Sequence, residues 1–303
     1  MVMGKEVAYW ERNPNWPQTI VMLHGFRGNH KGLTDMTQHF PGFRLILPDL
    51  PGYGESEPLD VGHTITNYAW WLDEFVAALG LEDWVSWSHS YSGCIALVQA
   101  AEGEHKPSAV VSVSLAAVRR DVASAVSTLY YWAGQYLPRR VRRRWIASRT
   151  VDHATGRWLF MTATTNRRKA LMLRGDRNLP ALNAQVVTEE YMSARRTPLE
   201  PFAAMVQMPV LIIAGARDII VPVKKLEKLV GLMHDGTLVI MEDQGHLAPI
   251  ERPATTATIT KRFIHGLHGG RPASRHSGAD RRPRLARLRR LLGHQRAIHL
   301  FRS

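Results

Sequence analysis

Three short stretches hold residue types that together can carry out acyl-transfer chemistry. Ser90 lies in WSHSYSG (87–93), Asp218 in GARDIIVP (215–222) and His246 in QGHLAP (244–249). A serine hydroxyl is a weak nucleophile at neutral pH. It needs a base to take its proton, and the base needs an acid to orient it. Each of the three residues follows an apolar, β-type run: WVSW, VLIIAG and TLVIMED. That places all of them in loops past the carboxyl ends of strands, where open α/β sheets build their sites. The chain order Ser, Asp, His is the order used by one large class of such sites. A fourth run ends in LHGFRGN (23–29). The backbone N–H of Phe26 is expected to point into the same site, and with the N–H of Tyr91 it would form an oxyanion hole.

The residues around Ser90 suit a tight strand-to-helix turn. Such a turn strains the serine backbone and leaves room only for small residues two positions away on either side. Ser88 and Ser92 stand there, where glycine is usual, and Gly93 follows. The plainer alternative is that Ser90 only caps the helix that follows.

The elements that must hold these residues alternate along the chain. Apolar runs at Val7–Glu11, Thr19–Leu23, Arg44–Pro48, Trp84–Trp87, Ala109–Ser114, Val210–Ala214 and Thr237–Met241 read as strands. Several are continuously apolar, as strands covered on both faces are. Helical patterns separate them. In TITNYAWWLDEFVAALG (64–80), Tyr68, Trp71, Leu72, Phe75 and Leu79 form one stripe and Gly80 stops it. The alternation argues a doubly wound, mostly parallel α/β sheet. It breaks between Val118 and Met208, a stretch rich in Ala, Arg, Leu, Trp and Tyr at helical spacing. Residues 1–117 and 209–265 are therefore expected to form the core, with a helical insertion at 118–208. Beyond residue 265 the composition turns to Arg, Gly, Pro and His, and 266–303 reads as a basic tail without a fixed structure.

Charge and cysteine content bound the function further. The net charge is +13, but ten arginines against one acid after residue 265 supply +9 of it. A basic cluster, RRVRRR (139–144), lies inside the body. Cys94 is the sole cysteine, which excludes an intrachain disulfide and a cysteine metal site and fits a reducing, cytoplasmic compartment. MVMGKEVAYW does not read as a secretory signal, and the longest apolar run, near 108–118, is too short to span a bilayer. No metal-ligand spacing occurs among the histidines, so no metal or cofactor is expected.

Taken together, HGFRGN (24–29), PDLPGYGES (48–56), SHSYSG (88–93), GARDIIVP (215–222) and GHLAPIERP (245–253) resemble the α/β-hydrolase fold family in its cap-bearing branch. The resemblance spans roughly residues 5 to 265. It implies that Ser90 is the nucleophile, Asp218 the acid, His246 the base, and the N–H groups of Phe26 and Tyr91 the oxyanion donors. It also implies that residues 118–208 form a cap over the pocket. The expected activity is hydrolysis of an ester-like bond in a small apolar or acyl substrate. The same fold and residues serve carbon–carbon bond hydrolases and some cofactor-free oxygenases, and a non-catalytic member would use its pocket to bind a lipid or partner.

Other residues have plainer expected roles. His24 and Asp49 read as loop-stabilising, His89 as packing or capping, and Cys94 as core. Asp121 is the rival for the acid position. Tyr130, Tyr131, Trp132, Tyr136, Trp145, Trp158 and Phe160 make the insertion aromatic, and are expected to pack it onto the core and to line an apolar cleft. The arginines of 139–144 read as a solvated face or as a rim attracting anionic substrates or headgroups. The tail stripe Leu285, Leu288 and Leu292, set among arginines, suggests weak contact with an anionic membrane surface, while nucleic acid is not an expected partner.

Overall fold

The computed structural model of the protein describes residues 1–116, 122–146 and 183–268. Seven strands form one sheet in the order β1-β3-β2-β4-β5-β6-β7. They are β1 (Tyr9–Arg12), β2 (Thr19–Leu23), β3 (Arg44–Pro48), β4 (Trp84–His89), β5 (Ala109–Val113), β6 (Val210–Gly215) and β7 (Gly236–Met241). Only β1 runs antiparallel, at the edge beside β3, and every other pairing is parallel. β2, β4, β5 and β6 are buried along their whole length.

The continuous apolar runs form strands because each side of the sheet faces its own core. In β2, Val21 and Leu23 join one core while Ile20 and Met22 join the other. In β6, Ile212 faces the first and Leu211 and Ile213 the second. The first core takes in α2 (Ile65–Ala78), α3 (Tyr91–Glu102) and α8 (Val223–Leu232). The second takes in α1 (Thr34–Thr37) and α10 (Pro253–His268) and contains Phe40, Phe43, Trp87 and Ile264. Helix α2 starts where the Thr64 hydroxyl accepts from the Asn67 N–H at 3.2 Å, and Gly80, with φ at 61°, ends it in a left-handed turn.

Some boundaries differ from those read off the sequence. β1 starts at Tyr9 rather than Val7, because the Ala8 N–H is already taken by the Ser56 hydroxyl at 3.0 Å. β4 runs on to His89, so a single residue, Ser90, separates it from α3. Helix α10 continues to His268, past the change in composition.

Between β5 and β6 the chain forms α4 (Val122–Tyr136), α5 (Arg139–Ile146), α6 (Ala184–Arg196) and α7 (Glu200–Met205) among the described residues. Helix α6 packs on α4, α5 and α2, whereas α7 packs on α3 and α8. The remaining helix, α9 (Ala248–Glu251), follows β7. No helix among the described residues is long and apolar enough to cross a membrane.

Trp87 is fully buried in β4, three residues before Ser90, and its indole N–H reaches the Thr260 hydroxyl of α10 at 3.4 Å. Truncating so large a side chain leaves a cavity between sheet and helix. Trp87→Ala is expected to lower the unfolding free energy by about 3–5 kcal/mol, measured by urea denaturation followed by far-UV circular dichroism.

Candidate active site

Ser90 occupies the turn between β4 and α3 with φ 58° and ψ −115°, a conformation that strains any residue with a Cβ by about 1–3 kcal/mol. The surroundings hold it there. Its N–H donates to Val113 O at 2.9 Å, and its carbonyl accepts from the N–H groups of Gly93 (3.0 Å) and Ala116 (3.2 Å). The Ser90 side chain makes no capping bond to α3, which overturns the reading of this serine as a plain helix cap. The two serines that stand for glycines find their own partners. Ser88 Oγ donates to Val111 O at 3.2 Å, and Ser92 Oγ lies 3.0 Å from Leu23 O while accepting from the His89 N–H at 3.1 Å. Gly25 passes close beside this turn, and a Cβ there would lie 3.1 Å from His89 O and 3.4 Å from Ser90 Cβ.

The structure brings together the three residues that lie far apart in sequence. His246 Nε2 is 2.8 Å from Ser90 Oγ, and His246 Nδ1 is 2.8 Å from Asp218 Oδ2. All three are buried. The other oxygen of Asp218 accepts the backbone N–H groups of Ile220 (2.8 Å) and Val221 (3.0 Å), which fixes the carboxylate plane. The loop carrying Asp218 is tied to the loop carrying His246: Arg217 N donates to Gln244 O at 2.9 Å, and the Arg217 guanidinium meets Asp243 at 2.9 Å. Chemically, such a chain can draw the proton from Ser90 onto His246 while Asp218 holds the imidazole in one tautomer. The N–H groups of Phe26 and Tyr91 donate to no other group among the described residues.

The neighbouring histidines and acids have supporting positions. His89 Nε2 donates to His246 O at 3.1 Å; burial and the adjacent His246 lower its pKa to about 4, so it is neutral at neutral pH. His24 Nε2 accepts from the Leu50 N–H at 3.0 Å, joining two loops. Asp49 is completely buried and accepts from the His30 N–H (2.8 Å), from His30 Nδ1 (2.9 Å) and from the Glu55 N–H (3.0 Å). Burial pushes the Cys94 thiol up to about 12, which makes it inert. Among the described residues, no group of three His, Cys, Asp or Glu side chains is placed to hold a metal ion.

The aromatic residues of the β5–β6 connection divide between two places. Tyr131 is buried, stacks on Tyr191 of α6 at 4.1 Å and meets Phe26 edge-on at 6.1 Å. Phe26 also lies 6.3 Å from the Tyr91 ring. Trp132, Tyr136 and Trp145 instead face solvent, which corrects their expected place in a cleft. They stay exposed although α4 and α5 both contact α6, and Trp145 stacks on Tyr130 of α4. Trp158, Phe160 and the rival acid Asp121 lie outside the described residues, as do the tail leucines.

One residue that the sequence reading missed sits beside these aromatics. Glu190 of α6 is completely buried and accepts from the Tyr53 hydroxyl at 2.5 Å, while its Oε1 has no hydrogen-bond partner among the described residues. Burial pushes its carboxyl up to about 8, against the pull of the Tyr53 hydrogen bond. The next residue back behaves in the opposite way. Half-buried Glu189 accepts from His63 Nδ1 (2.8 Å) and the His63 N–H (2.9 Å), and these bonds outweigh its burial and hold it at about 2. The available signal was positional. Glu190 shares the apolar stripe of Val186, Val187 and Ala194, where a charge is out of place.

Comparison with known proteins supports the fold and the class of activity. Residues 18–253 match the family model of the alpha/beta hydrolase fold. Lipase 3 of Moraxella sp. (strain TA144) is 22% identical over 283 residues, covering 88% of this chain and 84% of the lipase. The pimeloyl-[acyl-carrier protein] methyl ester esterase of Serratia marcescens is 26% identical over 267 residues, covering 84% and 97%. A solved esterase from Thermogutta terrifontis superposes with a TM-score of 0.73 at 18% identity, covering 87% of this chain and 94% of that one. The chain belongs to the alpha/beta hydrolase fold family. It is a hydrolase of that fold.

Glu190 gives the native state a pH dependence of known sign. Its carboxyl titrates near 8 when folded and near the ordinary 4.5 when unfolded, so between these values the native state holds a proton that the unfolded chain has lost. Stability from this group is therefore lost as pH rises through that window. Thermal midpoints measured from pH 5 to about 9 are expected to fall with a smaller slope in Glu190→Gln than in the unaltered protein.

Proposed function

We propose that the protein is a serine hydrolase that cleaves carboxylic esters with an apolar acyl group. The observation carrying this reading is the chain of two 2.8 Å contacts from Ser90 through His246 to Asp218, with Ser90 on a strained turn. A pocket that only bound ligands would have no need of that strain. His246 takes the Ser90 proton as Oγ attacks the ester carbonyl, and the resulting oxyanion accepts from the N–H groups of Phe26 and Tyr91. The tetrahedral adduct collapses to an acyl-enzyme, and His246 gives its proton to the leaving alcohol. Water, deprotonated by His246, then attacks the acyl-enzyme; the acid leaves and the proton returns to Ser90. Asp218 holds His246 in the tautomer that keeps Nε2 free to accept.

The preference for an apolar acyl group is supported by Phe26, Tyr91, Tyr131 and Tyr191, which cluster beside the oxyanion donors. Helices α4, α5 and α6 act as the cap in this reading. The relatives named as a lipase and as a methyl ester esterase support ester bonds over other acyl compounds.

Fluorophosphonate labelling and turnover of p-nitrophenyl esters of graded acyl length test the reading directly. Ser90→Ala is expected to abolish labelling and to lower kcat by at least ~10⁴-fold, with Asp218→Asn losing about 10⁴-fold at unchanged folding. An unaltered protein that neither labels nor turns over any ester of the series would overturn the assignment.

A further inference from the structure

The hairpin of α4 and α5 has a surface that hydrolysis does not explain. Leu129, Trp132 and Tyr136 recur at i, i+3 and i+7 of α4, and Val141 and Trp145 at i and i+4 of α5, and all five are exposed. Tyr136 is 71% and Leu129 63% accessible, far beyond the usual exposure of such side chains. The two helices are locked together: the Tyr130 and Trp145 rings stack at 5.4 Å, and the Tyr130 hydroxyl donates to Trp145 O. Five arginines stand between residues 139 and 144, and residues 122–146 contain no acid at all. Arg142 is used internally, donating to Gln135 O (2.7 Å) and Leu137 O (3.2 Å) at the end of α4. The other four are exposed and make no ion pair among the described residues.

We propose that this hairpin is a docking surface for an anionic lipid bilayer, with its tryptophan, tyrosine, leucine and valine side chains entering the headgroup region and its arginines pairing with lipid phosphates. Aromatic and aliphatic side chains beside unopposed arginines are the composition that such an interface selects. A second copy of the chain is a poor occupant, since a symmetric contact would bring two acid-free, arginine-rich surfaces together. Nucleic acid would match the arginines but would leave Leu129 and Val141 unused. The proposal goes beyond the esterase reading and does not rest on it, because a catalytically dead protein would still dock.

Co-sedimentation of the full chain with phosphatidylcholine vesicles, with and without about 30% phosphatidylglycerol, is the test. Two variants are compared: one with Arg139, Arg140, Arg143 and Arg144 changed to Gln, and Trp132→Ser/Tyr136→Ser. Wild type is expected to bind the anionic vesicles, less so as salt rises, and each variant to bind at least ~10-fold more weakly. Melting curves and turnover of a soluble ester are expected to stay at wild-type levels in both. Variants that bind like wild type would assign the affinity to another part of the chain. That result, a wild type that ignores anionic vesicles, tighter binding to an oligonucleotide than to vesicles, or a dimer that the variants lose would each overturn the proposal.

Discussion

The site depends on keeping one residue in a backbone conformation that it would not choose. Ser90 sits at φ 58° because three backbone hydrogen bonds, from Ser90 to Val113 and from Gly93 and Ala116 to Ser90, leave it no alternative. Each partner belongs to β5, to α3 or to the chain leaving the sheet. The strain is thus carried by the sheet itself, and the parallel register of β4 and β5 is what aims the serine hydroxyl. Small residues are needed nearby for the same reason. Gly25 lets the β2 loop reach the turn, and Gly93 leaves room for the Ser112 and Leu115 side chains where a Cβ would collide.

The rest of the site is arranged around that fixed point. Asp218 and His246 leave the ends of adjacent parallel strands, and Arg217 ties their two loops together. His89 reaches from the residue before Ser90 to the backbone of His246, so His246 is held from the strand that leads into Ser90. A neutral His89 suits the proposed mechanism, in which a second charge in this buried place would compete with the proton taken up by His246.

Much of this was legible in the sequence, and the reason is periodicity. Continuous apolar runs such as VLIIA read as strands covered on both faces, and loops that follow such strands gather at one edge. Ser90, Asp218 and His246 could be picked out because each stands in the loop that follows a β-type run. Where contacts came from elsewhere in the chain, the reading failed. The start of β1 is set by Ser56, some fifty residues away, and no local pattern shows it. Trp132, Tyr136 and Trp145 looked like pocket walls because aromatic content does not say which face of a helix is turned inward. Glu190 was passed over because one acid among two reads as solvated until Tyr53, far away in sequence, is seen to cover it.

The attachment of α6 bears on how such a protein diverges. Within one turn, Glu189, Glu190 and Ser193 join the helix to His63, to Tyr53 and to the N–H of Ile65. Helices α4 and α5 pack on α6 rather than on the strands that aim Ser90, so their sequence can drift with little effect on those strands. Selection can then reshape the outer helices for new surroundings while Ser90, Asp218 and His246 keep their places.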